Sequence, residues 1–281
     1  MLRIITDSAA DITLAQAEKM NIDIVPIGIQ FPDGPCPQES NEDFASFYKR
    51  LESAESLPVT SQPAPELYME LIEKARAAGD TVLILTLSGG LSGTVNAAHI
   101  AREMCGYEPV YVFDTGLAIT AQRILVEQAV RLRDEGADIG QILSSLDELK
   151  GRITVYGLID TLKYLRRGGR IPASLAAIGS TLNIKPIIIL RDRTLGVIGK
   201  AMGRKIGRKI VMQHFGKNPP DPDYPIYFVY SSNREMCEQF KQETMEQFDL
   251  RGFSTDTYPA GGVIGTHLGP DCVGISYVVK A

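Results

Sequence analysis

Tryptophan is absent from this 281-residue chain, and aromatic residues make up only 7% of it. That is too few for the stacking platforms on which single-stranded nucleic acids lie. Positive charge is also in deficit: 29 basic against 34 acidic residues leave a net charge of −5, so no global field draws nucleic acid to the chain. No two of the 26 glycines stand two positions apart, which excludes the dinucleotide fingerprint G-x-G-x-x-G. The Gly-Lys steps are Gly199-Lys200 and Gly216-Lys217. Neither has a glycine five positions before its own, nor a hydroxyl residue after the lysine, so a P-loop is excluded too. His99, His214 and His267 are too far apart for H-E-x-x-H, and G-x-S-x-G, the nucleophile elbow, does not occur.

Sulfur chemistry is equally thin. Cys36, Cys105, Cys237 and Cys272 are scattered, with no C-x-x-C. Zinc-ribbon and thioredoxin-like readings fail, and reduced cytosolic thiols are the expected state. No leader is expected, because Asp7 interrupts the first apolar run before it reaches the length of a secretory core. The longest uncharged run, residues 81–101, is nominally long enough to span a bilayer. Its middle, Ser88-Gly89-Gly90-Leu91-Ser92-Gly93-Thr94, reads instead as strand, polar loop and helix. The expectation is a soluble cytoplasmic protein. Apolar residues at 44% and charged residues at 22% are ordinary for a globular chain, and this length suits about two domains.

Periodicity and punctuation arrange the first half as repeated βα units. A strand over 2–6 ends in Thr6-Asp7-Ser8, a helix covers 13–20, and a strand over 22–31 is interrupted by Pro26. Helices follow over 41–53 and, opened by Gln62-Pro63-Ala64-Pro65, up to Ala78. The continuous apolar run 81–87 is that of a strand buried on both faces of a parallel sheet. A helix after Ser92, a strand over 110–113 and a long helix over 115–135 complete this half. Past Gly151 the texture changes. A strand over 152–159, a short helix, a hairpin of 184–190 with 195–200, helices over 203–215 and 233–248, a strand over 226–230 and two last strands predict a mixed sheet. The fold class is α/β in two domains: 1–151 with a parallel sheet flanked by helices, and 152–281 with a mixed sheet. Ligands of such folds bind at the carboxyl ends of strands or at the domain junction.

Polar loops stand at those places: Thr6-Asp7-Ser8, Thr60-Ser61-Gln62-Pro63, residues 88–94, and Asp114-Thr115-Gly116. Thr60 and Ser92 precede helices, where free N–H groups and the helix dipole favour an anion. The same hydroxyls could serve as N-caps. Gly90 and Gly93 allow close backbone approach beside Ser92. Asp7, Asp11 and Asp114 could hold Mg²⁺, or cap helices. Arg170, after Gly168-Gly169, can meet an anion bidentately or belong to a solvated basic cluster with Arg166 and Arg167. His267 lies in a Gly-rich loop, Gly265-Thr266-His267-Leu268-Gly269-Pro270, where a lone histidine can equally be structural. The small and apolar residues over 171–184 could leave room for an elongated apolar guest or simply fill the core. The residues leave open a binding module, a Mg²⁺-dependent phosphotransferase using Asp7 and Asp114, and a hydrolase pairing Ser92 with His267.

Taken together, these motifs resemble the DegV family of bacterial fatty-acid-binding proteins. The likeness rests on Thr6-Asp7-Ser8-Ala9-Ala10-Asp11, Thr60-Ser61-Gln62-Pro63, the 88–94 loop, Asp114-Thr115, the run from Leu162 to Ile171, Ile184-Lys185-Pro186-Ile187, and residues 264–270. It runs in order through almost the whole chain, with one departure: Gly89 stands where the family commonly has serine. The resemblance implies a two-domain α/β protein holding a long-chain fatty acid such as palmitate between its domains, with no cofactor and no catalytic residue of its own. It places the head group at Thr60 and Ser92, with Ser61 and Gly93 beside them and Arg170 and His267 near by. It also implies a separate ATP-using kinase subunit that converts the presented carboxylate to an acyl phosphate. Transient contact with a membrane surface is compatible with such a carrier.

Overall fold

The computed structural model describes residues 1–36, 43–171 and 183–281. Short continuous apolar runs become the strands β1 (Leu2–Asp7), β2 (Ile22–Val25), β6 (Thr81–Thr86) and β7 (Val110–Asp114). They form a parallel sheet of order β2-β1-β6-β7. Helices cover both of its faces, as a buried parallel sheet requires. Ile5, Val82 and Ile84 point to α3 (Pro65–Ala78) and α4 (Thr94–Cys105), while Ile4, Leu83 and Leu85 point to α1 (Leu14–Met20), α5 (Ile119–Asp134) and α6 (Ile139–Lys150).

Pro26 divides the predicted strand over 22–31 in a consequential way. Beyond it the chain leaves the parallel sheet, and β3 (Gly28–Phe31) pairs antiparallel with β4 (Gly34–Cys36) and β5 (Val59–Ser61). This small separate sheet carries α2 (Phe44–Ser53), which packs Phe47, Tyr48 and Leu51 against Ile29 and Phe31.

The second half is one six-stranded sheet of order β10-β9-β8-β13-β11-β12. Its strands are β8 (Ile153–Leu158), β9 (Ile184–Arg191), β10 (Thr194–Met202), β11 (Ile226–Tyr230), β12 (Thr255–Pro259) and β13 (Val273–Val278). The β11–β12 pair is parallel and the other pairs are antiparallel. Side chains alternate between faces. Tyr156, Leu158, Ile187, Ile189, Ile275 and Tyr277 form a core with α8 (Arg204–Lys217) and α9 (Arg234–Phe248). The opposite face, with Val155, Gly157, Ile188, Leu190 and Gly274, turns toward the first half. The short helices α7 (Lys163–Arg167) and α10 (Gly262–Leu268) lie along this seam. One apolar cluster crosses it, joining α5 and α6 to Ile153, Tyr227 and Val278.

Several expectations shift. The helix expected over 115–135 starts at Ile119, because Thr115 donates to the Thr86 carbonyl at 2.7 Å and Gly116 turns the chain at φ 67°. Helix α6 was not anticipated, although Asp138 and Gln141 form a reciprocal capping box at its start. Thr60 is no helix cap: it lies in β5, and α3 begins five residues later after the uncapped Ala64. Ser92 precedes the cap position of α4, which is Gly93. His267 belongs to α10 rather than to a loop. The three glycines at 261, 262 and 265 give that stretch loop-like composition, but Gly261 and Gly265 are there for close packing. A Cβ on Gly265 would lie 2.4 Å from the Tyr48 hydroxyl. Most of the 171–184 segment, residues 172–182, lies outside the described residues.

Candidate functional site

The carboxyl ends of β1, β6 and β7 carry their loops to the seam, where the second half meets them. Asp11 Oδ1 accepts the Gly261 N–H at 3.0 Å, and the Tyr48 hydroxyl donates to the Ala260 carbonyl at 3.0 Å. These bonds fix the start of α10 against the first half. Inside the seam lies a cavity whose non-atom space comes to about 930 Å³, open solvent at its mouth included. Its walls are mostly apolar: Ile27, Leu87, Leu91, Ala118 and Ile119 from the first half, and Val155, Ile188, Leu190, Val229 and Val263 from the second. Gly157 and Gly274 stand directly opposite in the β8–β13 register, both on the cavity side. Their missing side chains let Ile188 and Val229 pack close, since a Cβ on Gly157 would lie 3.0 Å from Ile188 Cγ1 and one on Gly274 2.9 Å from Val229 Cγ1.

Four polar side chains that the sequence singled out line this cavity: Thr60, Ser92, Arg170 and His267. Strand β5 presents Thr60, whose Oγ1 is 2.8 Å from His267 Nε2. Arg170 follows Gly169, which takes φ 68°, and its Nε donates to the Leu91 carbonyl at 3.0 Å, next to Ser92. Ser92 Oγ accepts the Thr94 N–H at 3.3 Å and lies 2.8 Å from Thr94 Oγ1. Burial, together with the Arg170 guanidinium, pushes the His267 pKa down to about 4, so the ring is neutral at pH 7. Its Nδ1 has no partner among the described residues. A proton on Nε2 leaves only a bare lone pair buried at Nδ1, and makes Nε2–H the donor to Thr60 Oγ1. The Thr60 hydroxyl proton is then free to point at a guest. Gly168 makes room for this ring, since a Cβ there would lie 2.3 Å from Nδ1.

Ser61 and Gly93 do not line the cavity. Strand alternation turns Ser61 away from Thr60, and its side chain packs over Gly28, where a Cβ would lie 2.5 Å from Ser61 Oγ. Gly93 instead admits Gln62, whose Oε1 would be 1.8 Å from a Cβ at that position, so the two hydroxyl-bearing loops interlock. Ser92 and His267 are not paired as a hydrolase would need, because the imidazole contacts Thr60. The three candidate Mg²⁺ ligands do not converge either, and among the described residues no group of three His, Cys, Asp or Glu is placed to hold a metal. Asp7 accepts N–H bonds from Leu87 and Ala9, and burial pushes its pKa up to about 6. Burial likewise lifts Asp11 to about 8. Asp114 is paired with Arg193.

Sequence reasoning missed the walls. Tyr230, Ser231 and Cys272 also line the cavity, and only the alternation along β8, β9 and β13 could have indicated which apolar residues face it. Among the described residues no disulfide joins any of the four cysteines. Among the described residues, no helix is long and apolar enough to cross a membrane.

A parallel sheet and a mixed sheet thus meet over a mostly apolar cavity that carries a small polar cluster. The particular family follows from comparison with known proteins. The DegV family model, described as an uncharacterised protein family, matches residues 1–280, and the chain belongs to that family. A DegV domain-containing protein of Halalkalibacterium halodurans is 32% identical over 281 residues, covering 99% of each chain. Protein DegV of Bacillus subtilis is 30% identical over 284 residues, again covering 99% of each. Among solved structures, a fatty-acid-binding DegV family protein of Thermus thermophilus superposes with a TM-score of 0.88 at 29% identity, covering 99% of each chain. A DegV lipid-binding protein of Thermotoga maritima gives 0.87 at 30% identity, covering 99% of this chain and 98% of that one.

Proposed function

We propose that this chain is a non-catalytic carrier that binds a long-chain fatty acid between its two domains, 1–151 and 152–281. The acyl chain runs along the inner face of the mixed sheet, and the carboxylate meets Thr60 and Ser92. The observation that carries this reading is a cavity with mostly apolar walls that also gathers Thr60, Ser92, Arg170 and His267, in a family whose similar structures are described as lipid or fatty-acid binding. Magnitudes divide the work. A palmitate-sized tail buries ~14 methylenes at roughly 0.8 kcal/mol each, about 11 kcal/mol before the costs of association. Two hydroxyl bonds to a carboxylate contribute about 1.5–3 kcal/mol each, set against its desolvation. The tail supplies affinity and the hydroxyls set direction. No cofactor is needed for this, and thiols that form no disulfide among the described residues suit the cytoplasm.

The same arrangement suits presentation of the carboxylate to a separate kinase subunit that forms an acyl phosphate. Arg170 then acts on the product more than on the bound acid, because a phosphoryl group offers more charge and a geometry matched to a guanidinium. Native mass spectrometry of purified, delipidated and reloaded protein tests the carrier. A stoichiometric fatty acid released only on denaturation is the expected result, and failure of palmitate to bind the delipidated protein would refute it. Arg170→Ala should retain palmitate nearly normally and lose acyl-phosphate formation with a kinase subunit. Loss of palmitate at unchanged melting temperature would make Arg170 a ligand of the bound acid instead.

A further inference from the structure

The turn between β9 and β10 is Asp192-Arg193, with φ of 49° and 67°. Two-residue hairpin turns of this kind favour glycine or asparagine, since the left-handed backbone costs any residue carrying a Cβ. An arginine persists there only when surrounding contacts over-determine the backbone. Arg193 has such contacts, all of them with the other half of the molecule. Its Nη2 lies 2.5 Å from Asp114 Oδ2, and its carbonyl accepts the Ser88 hydroxyl at 2.8 Å. Asp114 Oδ1 accepts the Gly89 N–H at 3.1 Å and the Gly116 N–H at 2.9 Å. One carboxylate thus joins the hairpin tip, the β7 turn and the loop that carries Ser92.

The glycines of that loop are shaped to the tip. A Cβ on Gly89 would lie 2.5 Å from Arg193 Nη2 and 2.8 Å from Asp114 Oδ2. A Cβ on Gly90 would lie 2.2 Å from the Arg193 carbonyl oxygen. Any side chain at position 89 and the Arg193–Asp114 pair compete for the same space.

We propose that Arg193 is a positioning residue that acts through Asp114 and Ser88. It clasps loop 88–93 in the conformation that presents Ser92, and so sets how fast the cavity exchanges its occupant. The identity of that occupant rests on the fatty-acid reading; the clasp itself does not. Arg193 is 58% exposed at its side chain, so the pair is screened by salt and can open without unfolding either sheet.

Three variants test this: Arg193→Gly, Gly89→Ser, and the two combined. The first readout is amide hydrogen exchange over residues 88–93 in ligand-free protein. The second is the release rate of isotopically labelled palmitate. Arg193→Gly should speed both about three- to fivefold, the range of an exposed ion pair, while the melting temperature stays level or rises because glycine relieves the turn. Gly89→Ser should speed both by forcing the pair apart. The double variant should recover, because the serine hydroxyl can donate to Asp114 in the space the guanidinium left. In wild type, 0.5 M salt should speed release, and in Arg193→Gly it should not. Wild-type exchange in Arg193→Gly, or a double variant no slower than the single ones, overturns the clasp. If palmitate fails to bind the wild type, the fatty-acid reading falls, and exchange over 88–93 still decides the role of Arg193.

Discussion

The two sheets contribute to one cavity by different means. The parallel sheet touches it only beyond its strand ends, through Leu87, Leu91, Ser92, Ala118 and Ile119. Its own strand residues are spent on the helices of both faces. The mixed sheet is covered by helices on one face, and gives the other, with Val155, Gly157, Ile188 and Leu190, to the cavity wall. A loop can present a hydroxyl or a carbonyl in one direction, and a sheet face can line a long channel without polar groups. Direction and capacity are therefore separable, and substitutions should separate them.

The largest effect is expected at the wall. Val155→Phe narrows the channel, and losing even four buried methylenes at roughly 0.8 kcal/mol each costs about 3 kcal/mol. Palmitate affinity in a titration should fall ~100-fold or more, while hydrogen exchange over the Ser92 loop stays unchanged. A variant that binds normally would place the tail elsewhere. The next concerns His267, where the halves meet. Its folded pKa of about 4 lies below the ordinary 6.5, so the unfolded chain binds more protons between those values. Its contribution to stability is full above pH 6.5 and is lost as pH falls toward 4, by at most about 3 kcal/mol. Asp7 and Asp11, raised by burial, work in the opposite sense over the same range. The measurement is therefore the difference between wild type and His267→Gln in denaturant titrations at pH 7.5 and 4.5, which should shift in favour of the variant on acidification. A pH-independent difference would mean the ring is protonated without penalty.

At the loops the effect should be smaller. Thr60→Val with Ser92→Ala removes two donors but leaves the wall, and water entering at the open mouth replaces most of each bond, so affinity should fall about tenfold, near 1.4 kcal/mol, with the fold intact. Binding that is unchanged would remove these hydroxyls from the site. The smallest effect tests the alternation itself: Ser61→Ala, one residue from Thr60 and off the cavity, should leave palmitate affinity within about twofold.

The sequence made some of this architecture legible and hid the rest for physical reasons. β6 and β11 were readable because each is an unbroken apolar run, and α9 because a capping Asn233 opens its amphipathic stretch. The small sheet was hidden because Pro26 marks a break but not where the chain goes next. α10 was hidden because its glycines serve packing against Tyr48 and Asp11, which only tertiary structure supplies. By sequence, Thr60 and Ser92 read as helix-terminal hydroxyls. Thr60 reaches the cavity from a strand instead, and that same strand's alternation is what sends Ser61 the other way.

The apolar cluster shared by α5, α6, Ile153, Tyr227 and Val278 bears on how such proteins can diversify. A recombination point at 151 would divide no sheet, yet it would part α5 and α6 from the side chains they bury. A chimera joined there from two diverged relatives inherits a mismatched interior even if both parents are sound. Carrying residues 119–150 along with the mixed sheet would not repair this, because the same helices bury Ile4, Leu83 and Leu85 of the parallel sheet. Neither sheet can be exchanged alone without repacking that shared helical layer, so the two halves have to change together across the line that a linear map would draw at 151.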